Sequence, residues 1–136
     1  MTIRSAEPRD LEALLALYTQ LGDNPLPQRT AQLEALYAGM LDNPRQHLLL
    51  AEIDGRAVGT VMLLIVDNLT HAQRPFALVE NVVTDAAHRG RGIATALLNA
   101  ARERARAAGC YKIMLLTGSK RESTLNFYRR AGYNDR

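Results

Sequence analysis

One segment, Glu80-Asn-Val-Val-Thr-Asp-Ala-Ala-His-Arg-Gly-Arg-Gly-Ile-Ala-Thr-Ala-Leu-Leu-Asn-Ala-Ala-Arg102, limits what this chain can fold into more than any other. A strand-like run, Phe76–Thr84, leads through a short turn into a basic, glycine-punctuated loop, His88–Gly92, and then into an alanine- and leucine-rich helix. Gly90 and Gly92 free the backbone to adopt positive φ, which side chains resist. The N–H groups that open a helix have no internal partner, and the macrodipole makes that end attractive to anions. With Arg89 and Arg91 beside it, the segment is expected to cradle phosphate.

Two familiar phosphate loops do not fit. A dinucleotide fingerprint needs a small residue where Thr95 stands, and an acidic residue about 20 positions on, where Lys112 and its neighbours lie. The P-loop pattern is absent. What fits is Arg89-x-x-Gly92-x-Ala94, which resembles the acetyl-CoA pyrophosphate loop of the GNAT-superfamily N-acetyltransferases. On either side, Glu80-Asn-Val-Val-Thr-Asp85 resembles that family's fourth strand. Asn126-Phe-Tyr-Arg-Arg-Ala-Gly-Tyr133 resembles its last helix and the exit from it. The three motifs, in order, cover most of Phe76 to Tyr133.

A chain of 136 residues and 15.0 kDa is expected to make a single domain, residues 1–136. Apolar residues make up 47%, enough for a packed core. No apolar run approaches the roughly 18 residues of a membrane span, and Arg4, Glu7, Arg9 and Asp10 do not suit a signal peptide. The lone Cys110 excludes an internal disulfide and fits a reducing, cytoplasmic setting. The net charge of +3 raises the question of nucleic acid. On the helix after Gly92, however, Arg102 and Arg106 share a side while Arg104 points nearly opposite, and no aromatic residues interleave with them. A solvated arginine-rich surface with one local anion site is expected, with no nucleic-acid partner.

Along the chain, Thr2–Arg4 is expected to form a first strand, and Pro8 to open a helix carrying Leu11, Leu14, Leu15, Tyr18 and Leu21 on one side. Gly22–Pro27 breaks it. A second helix from about Thr30 places Leu33, Leu36, Tyr37 and Met40 on one face and stops before Pro44. His47–Ile53 and Arg56–Val66 pair as a hairpin through Asp54-Gly55, the second strand covered on both faces. After a polar loop, Asp67–Pro75, come the strand Phe76–Thr84 and a helix from about Gly92 to Ala108. That helix puts Ile93, Leu97, Ala101 and Ala105 in one stripe and ends at Gly109. Tyr111–Thr117 is the next strand and Ser123–Ala131 a short helix. The order predicts an α+β fold of mixed layers, with a central, mostly antiparallel sheet and helices on both faces. It matches the GNAT order with the last strands of that fold apparently truncated.

Glu80 lies in an apolar strand, where a carboxylate is costly to bury without a partner. It is either solvated, paired with an arginine, or a general base tuned by partial burial. The resemblance implies the last of these. It also implies that Tyr128 protonates the leaving thiolate, the thiol and phenol having neighbouring pKa values; otherwise Tyr128 only extends the apolar face of its helix. Val82, Val83 and Thr84 would contribute backbone groups to the pantetheine arm, like an added strand, from a strand that splays from its neighbour. One of their N–H groups would polarise the acetyl carbonyl. Arg89, Gly90, Arg91, Gly92, Ile93 and Ala94 would hold the pyrophosphate. Arg121 stands where many family members carry asparagine. Cys110 has no neighbouring base in sequence and reads as inert packing, and His47, His71 and His88 lack metal-ligand spacing, so no metal is expected. His88 could touch phosphate but reads rather as a surface residue.

The resemblance implies acetyl-CoA as cosubstrate and direct transfer to the primary amine of a small molecule through a ternary complex. A protein or peptide amine as acceptor, or a non-catalytic acyl-CoA-binding module, remain the alternatives. Acceptor selection is expected from Gly22–Arg29, Asp67–Pro75 and Arg121, with Arg29, Arg74 and Arg121 available to an anionic acceptor. The apolar strand Tyr111–Thr117 at a bare edge predicts a homodimer whose interface includes Ile113 or Leu115.

Overall fold

A computed structural model describes residues 1–115. Those residues form a five-stranded sheet in the order β1-β2-β3-β4-β5, comprising β1 Thr2–Ser5, β2 Gln46–Ile53, β3 Arg56–Val66, β4 Phe76–Thr84 and β5 Ile113–Leu115. The first four strands pair antiparallel, and β5 joins β4 in parallel. Among the described residues three helices of eight or more residues accompany the sheet: α1 Leu11–Tyr18, α2 Ala31–Asp42 and α3 Ile93–Ala107. The expected mixed α+β architecture is the one observed.

The local reasons are visible in the chain. Pro8 sits in a 3-10 turn, Pro8–Asp10, that leads into α1, and Thr30 caps α2 by accepting from Leu33 N–H. Asp54 (φ 50°) and Gly55 (φ 77°) make the two-residue turn between β2 and β3. Gly109 (φ 81°) follows the end of α3.

Two apolar layers close over the sheet. Ile93, Leu97, Leu98, Ala101 and Ala105 of α3 pack on Leu49, Val61, Leu63, Ile65, Ala77 and Val79. On the other face, Leu11, Leu14 and Leu17 of α1 and Tyr37 of α2 cover Leu48, Leu50 and Val83. Some expectations fail here. Leu36 is 67% exposed rather than part of the buried face of α2, and Leu17 takes a core place the periodicity did not assign. The reason is that α1 and α2 lie side by side on this face, each packing on the sheet. Leu17 packs against the sheet while Leu15, Tyr18 and Leu33 line the groove between the helices, with Leu36 on its lip. On β3 the α3 side is sealed, while on the other side Thr60 is buried and Met62 and Leu64 are half-buried. The Asp67–Pro75 loop contains a tight turn, Thr70–Gln73, with left-handed His71 and Ala72. Its His71 ring stacks on Tyr111 with centroids 3.9 Å apart. Leu115, expected at a subunit interface, is 3% exposed within the chain's own core.

Among the described residues no helix is long and apolar enough to cross a membrane, and no group of three His, Cys, Asp or Glu is placed to hold a metal ion.

Candidate active site

The site begins where β4 departs from regularity. Met62 pairs with Glu80 and Thr60 with Val83, so β4 takes three steps where β3 takes two. The extra residue is accommodated by Asn81 in the left-handed region (φ 55°), exposed. Such a bulge re-aims side chains. Ala77, Val79 and Val82 belong to the α3 layer, whereas Val83 belongs to the α1 layer. Glu80, opposite Met62, lies on the α1 side and is half-buried. It has no hydrogen-bond or ion-pair partner among the described residues, so the expected alternative of an arginine partner is not found there. Beneath the bulge, Thr60 is fully buried, donates to Leu49 O at 2.7 Å and hydrogen-bonds the Tyr18 phenol, whose pKa burial pushes up.

The strand ends at Thr84, and the next residues carry the chain to α3. A 3-10 turn, Ala86–His88, is followed by extended Arg89, then Gly90 (φ 81°) and Gly92 (φ 78°). Gly92 is the N-cap of α3, and no side chain caps that end. The first N–H groups of the helix therefore point outward without intrahelical partners. Thr84, Arg89, Gly90, Gly92, Ile93, Ala94 and Thr95 line a cavity of about 140 Å³ there. The hydroxyl Oγ1 of Thr84 is buried with no hydrogen-bond partner among the described residues. A buried hydroxyl without a partner is costly, and this one belongs to the lining of a cavity rich in N–H donors. The donor set, the two left-handed glycines and the flanking Arg89 and Arg91 fit a pyrophosphate.

Of the expected cofactor residues, Thr84, Arg89, Gly90, Gly92, Ile93 and Ala94 are brought together around this cavity. Arg91 is exposed beside it, while Val82 and Val83 lie on opposite faces at the bulge. Thr84, expected to offer only backbone, offers its side chain too; nothing in the sequence pattern marked it. Tyr128, Arg121 and Asn126 lie outside the described residues, as do the end of the expected strand Tyr111–Thr117 and the expected helix Ser123–Ala131.

Several expectations change. His88 is not a surface residue: its Nδ1 lies 2.8 Å from Asp85 Oδ2 and its side chain is 19% exposed. Asp85 is held below the usual carboxylate range by hydrogen bonds from Gln20 and then His88. Arg29 is paired with Glu34 at 2.7 Å. Arg74 donates to the carbonyls of Gly109 and Cys110, each at 3.1 Å. Both are engaged elsewhere, and Arg74 stands near the start of β4, roughly 25 Å along the nine-residue strand from Thr84. The Asp67–Pro75 loop is tied to that same remote end, whereas Gly22–Arg29 follows Gln20, which meets Asp85 and Ala86 beyond the Thr84 end of β4. Cys110 is half-buried, and burial pushes its thiol up, away from nucleophilic reactivity.

Comparison with known proteins gives concordant results. A family model described as the Acetyltransferase (GNAT) family matches residues 11–133. The chain is 30% identical to a glucosamine 6-phosphate N-acetyltransferase of Trypanosoma brucei brucei, over 98% of this chain and 88% of that one. It is 34% identical to an aminoalkylphosphonate N-acetyltransferase of Salmonella typhimurium, over 96% and 83% respectively. Among solved structures, a proposed acetyltransferase of Agrobacterium tumefaciens strain C58 superposes with a TM-score of 0.93 at 41% identity, covering 100% of this chain and 94% of that one.

Proposed function

The chain belongs to the acetyltransferase (GNAT) family and is an N-acetyltransferase, and on that premise we propose that it moves the acetyl group of acetyl-CoA directly to the primary amine of a small molecule bearing a phosphate or phosphonate. The acceptor class is supported by the two relatives, named for an amino-sugar phosphate and an aminoalkylphosphonate. The site is supported above all by one observation: the left-handed Gly92 cap opening α3 beside the partnerless hydroxyl of Thr84.

The chemistry follows from the chain's own groups. The α3 N-terminus, Thr84 Oγ1, Arg89 and Arg91 neutralise and orient the pyrophosphate. Backbone N–H groups of Val82–Thr84 orient the pantetheine arm and polarise the acetyl carbonyl. Glu80 takes the ammonium proton, directly or through a water, so that the amine can attack. Its half-burial and lack of a partner among the described residues leave it available for this. Tyr128 returns a proton to the departing thiolate. The unreactive setting of Cys110 supports direct transfer in a ternary complex without an acetyl-enzyme. We assign residues 1–136 to one acyltransferase domain acting in the cytoplasm as a homodimer. Sedimentation at working concentration checks the assembly; a stable monomer refutes it.

Thiol release from acetyl-CoA across amino-sugar phosphates, aminoalkylphosphonates, plain amines, amino acids and peptides tests the activity. Phospho- and phosphonoamines are expected to turn over fastest, and a preference for peptides would overturn the acceptor class. Acetyl-CoA at a hundredfold excess over its dissociation constant stabilises the fold by about 2.7 kcal/mol. Gly92→Val is expected to remove most of that shift, and an unchanged shift would refute the loop assignment.

A further inference from the structure

Asp85 stands between β4 and the pyrophosphate loop, and it is held more firmly than a turn requires. Its N–H donates to Val58 O and its carbonyl accepts from His88 N–H, both at 2.8 Å. Its carboxylate is shared: Oδ1 accepts from Gln20 Nε2 at 3.0 Å, and Oδ2 lies 2.8 Å from His88 Nδ1. The same Gln20 amide accepts the Ala86 N–H at 2.8 Å through Oε1. Gln20 comes 65 residues before Asp85 in the chain, just past the end of α1 and just before the Gly22–Arg29 segment. A single primary amide thus grips a side chain and the next peptide group of the stretch that leads into Arg89–Gly92.

The joint is not close-packed. A cavity of about 350 Å³ lies between α1 and the β2–β3 turn, with Ala13, Ala16, Gln20, Arg56, Asp85 and His88 among its lining. Leu17 and Val58 close its apolar side, and on its polar side the hydrogen bonds of Gln20 join the end of α1 to the Asp85–Ala86 stretch. A primary amide suits the task, because it donates to a carboxylate and accepts from an N–H at once. Neither a glutamate nor an alanine can do both.

We propose that Gln20 is a positioning residue: it holds Asp85 and Ala86, and through them the Arg89–Gly92 loop, in the shape that receives acetyl-CoA, while tying that loop to the segment that follows α1. The proposal rests on the reading of the loop as the acetyl-CoA site. It makes the end of α1 and the cofactor loop one mechanical unit, so a movement of the Gly22–Arg29 segment on acceptor binding is felt at the pyrophosphate.

Gln20→Ala and Gln20→Glu, compared with the unaltered protein, test this through the calorimetric Kd for acetyl-CoA, kcat, KM for both substrates, and unfolding without ligand. Both variants are expected to raise Kd and KM for acetyl-CoA about tenfold, an amount matching one to two net hydrogen bonds. kcat at saturating acetyl-CoA is expected to hold. Gln20→Glu should be the worse, since it sets a second carboxylate against Asp85. Adding Asp85→Ala to Gln20→Ala should cost less than the two single effects combined, because the groups act as a pair. An unchanged Kd in both variants, with the unaltered protein binding normally, overturns the role of Gln20 and leaves the site standing. A fall in kcat that tracks lost stability, with KM for acetyl-CoA unmoved, overturns it as well. Failure of the unaltered protein to bind acetyl-CoA overturns the loop assignment and this proposal with it.

Discussion

Thr84 and Glu80, four residues apart on one strand, show two ways of keeping a polar group ready. The Thr84 hydroxyl is buried without a partner among the described residues, which costs the free protein on the order of 1–3 kcal/mol. Thr84→Val keeps the shape and removes the hydroxyl. It is expected to leave the ligand-free protein as stable or more so, while weakening acetyl-CoA binding; calorimetry with and without ligand separates the two effects, and a destabilised free protein would contradict this account. Glu80 escapes the same cost by half-exposure at the bulge. Glu80→Gln is expected to lower kcat/KM most at low pH, where the amine most needs a base, and Tyr128→Phe to lower kcat with acetyl-CoA affinity nearly intact. Full rates for both variants between about pH 6 and pH 9, a span around the ordinary thiol pKa of about 8.5, would remove both residues from the mechanism.

Among the elements, the contact of β3 with α3 sets where the cavity at the start of α3 lies. At Gly59, a Cβ would meet Ile93 Cγ2 and Leu97 Cδ1 at 3.0 Å each and the Val83 carbonyl oxygen at 3.1 Å. The two helix side chains can yield, but the carbonyl belongs to the β4 backbone. Glycine here lets the first turn of α3 sit against the sheet, with Gly92 within reach of Thr84. Gly59→Ala is therefore expected to destabilise by about 1–3 kcal/mol, as overpacking does, and to weaken acetyl-CoA binding because the helix start is displaced. Urea unfolding and ligand titration read both. A variant with unaltered stability would mean that the strand and helix part without cost.

At the scale of the molecule, one ion cluster joins the first strand to the rest. Arg4 donates two hydrogen bonds to Asp10, at 2.7 and 2.9 Å, and a third to Glu52 at 3.0 Å. Asp10 also accepts the Glu7 N–H at 2.7 Å, and its side chain is only 8% exposed. The Arg4 hydrogen bonds hold the Asp10 carboxyl below its ordinary value, outweighing the opposing effect of burial. Because the folded-state pKa is depressed, the stability Asp10 contributes is fully present above its ordinary pKa of 3.8 and is lost as pH falls through the folded value. Asp10→Asn is expected to cost about 3 kcal/mol near neutrality, since it leaves the half-buried guanidinium poorly paired. It should also flatten the loss of stability in acid, as thermal unfolding across pH will show. An acid limb as steep as that of the unaltered protein would place the titrating group elsewhere.

What the amino-acid sequence determines by itself is what neighbouring residues settle between them. The helical stripe Ile93, Leu97, Ala101, Ala105, the Asp54-Gly55 turn, the strand Phe76–Thr84 and the glycines that open α3 all depend on spacing of a few residues and on φ angles side chains resist. They were legible before any contact was known, and with them the family. Tertiary structure decided the rest. The side-by-side seating of α1 and α2 on the sheet exposed Leu36 and buried Leu17. The bulge sits on Asn81, a residue with no intrinsic claim to a left-handed backbone comparable to glycine's, because pairing with β3 requires it there. Glu34 and the carbonyls of Gly109 and Cys110 took up Arg29 and Arg74, which had looked available to a substrate. Gln20 met Asp85 across 65 residues. No local periodicity encodes such a meeting, since it depends on where two separately stable elements come to rest against each other.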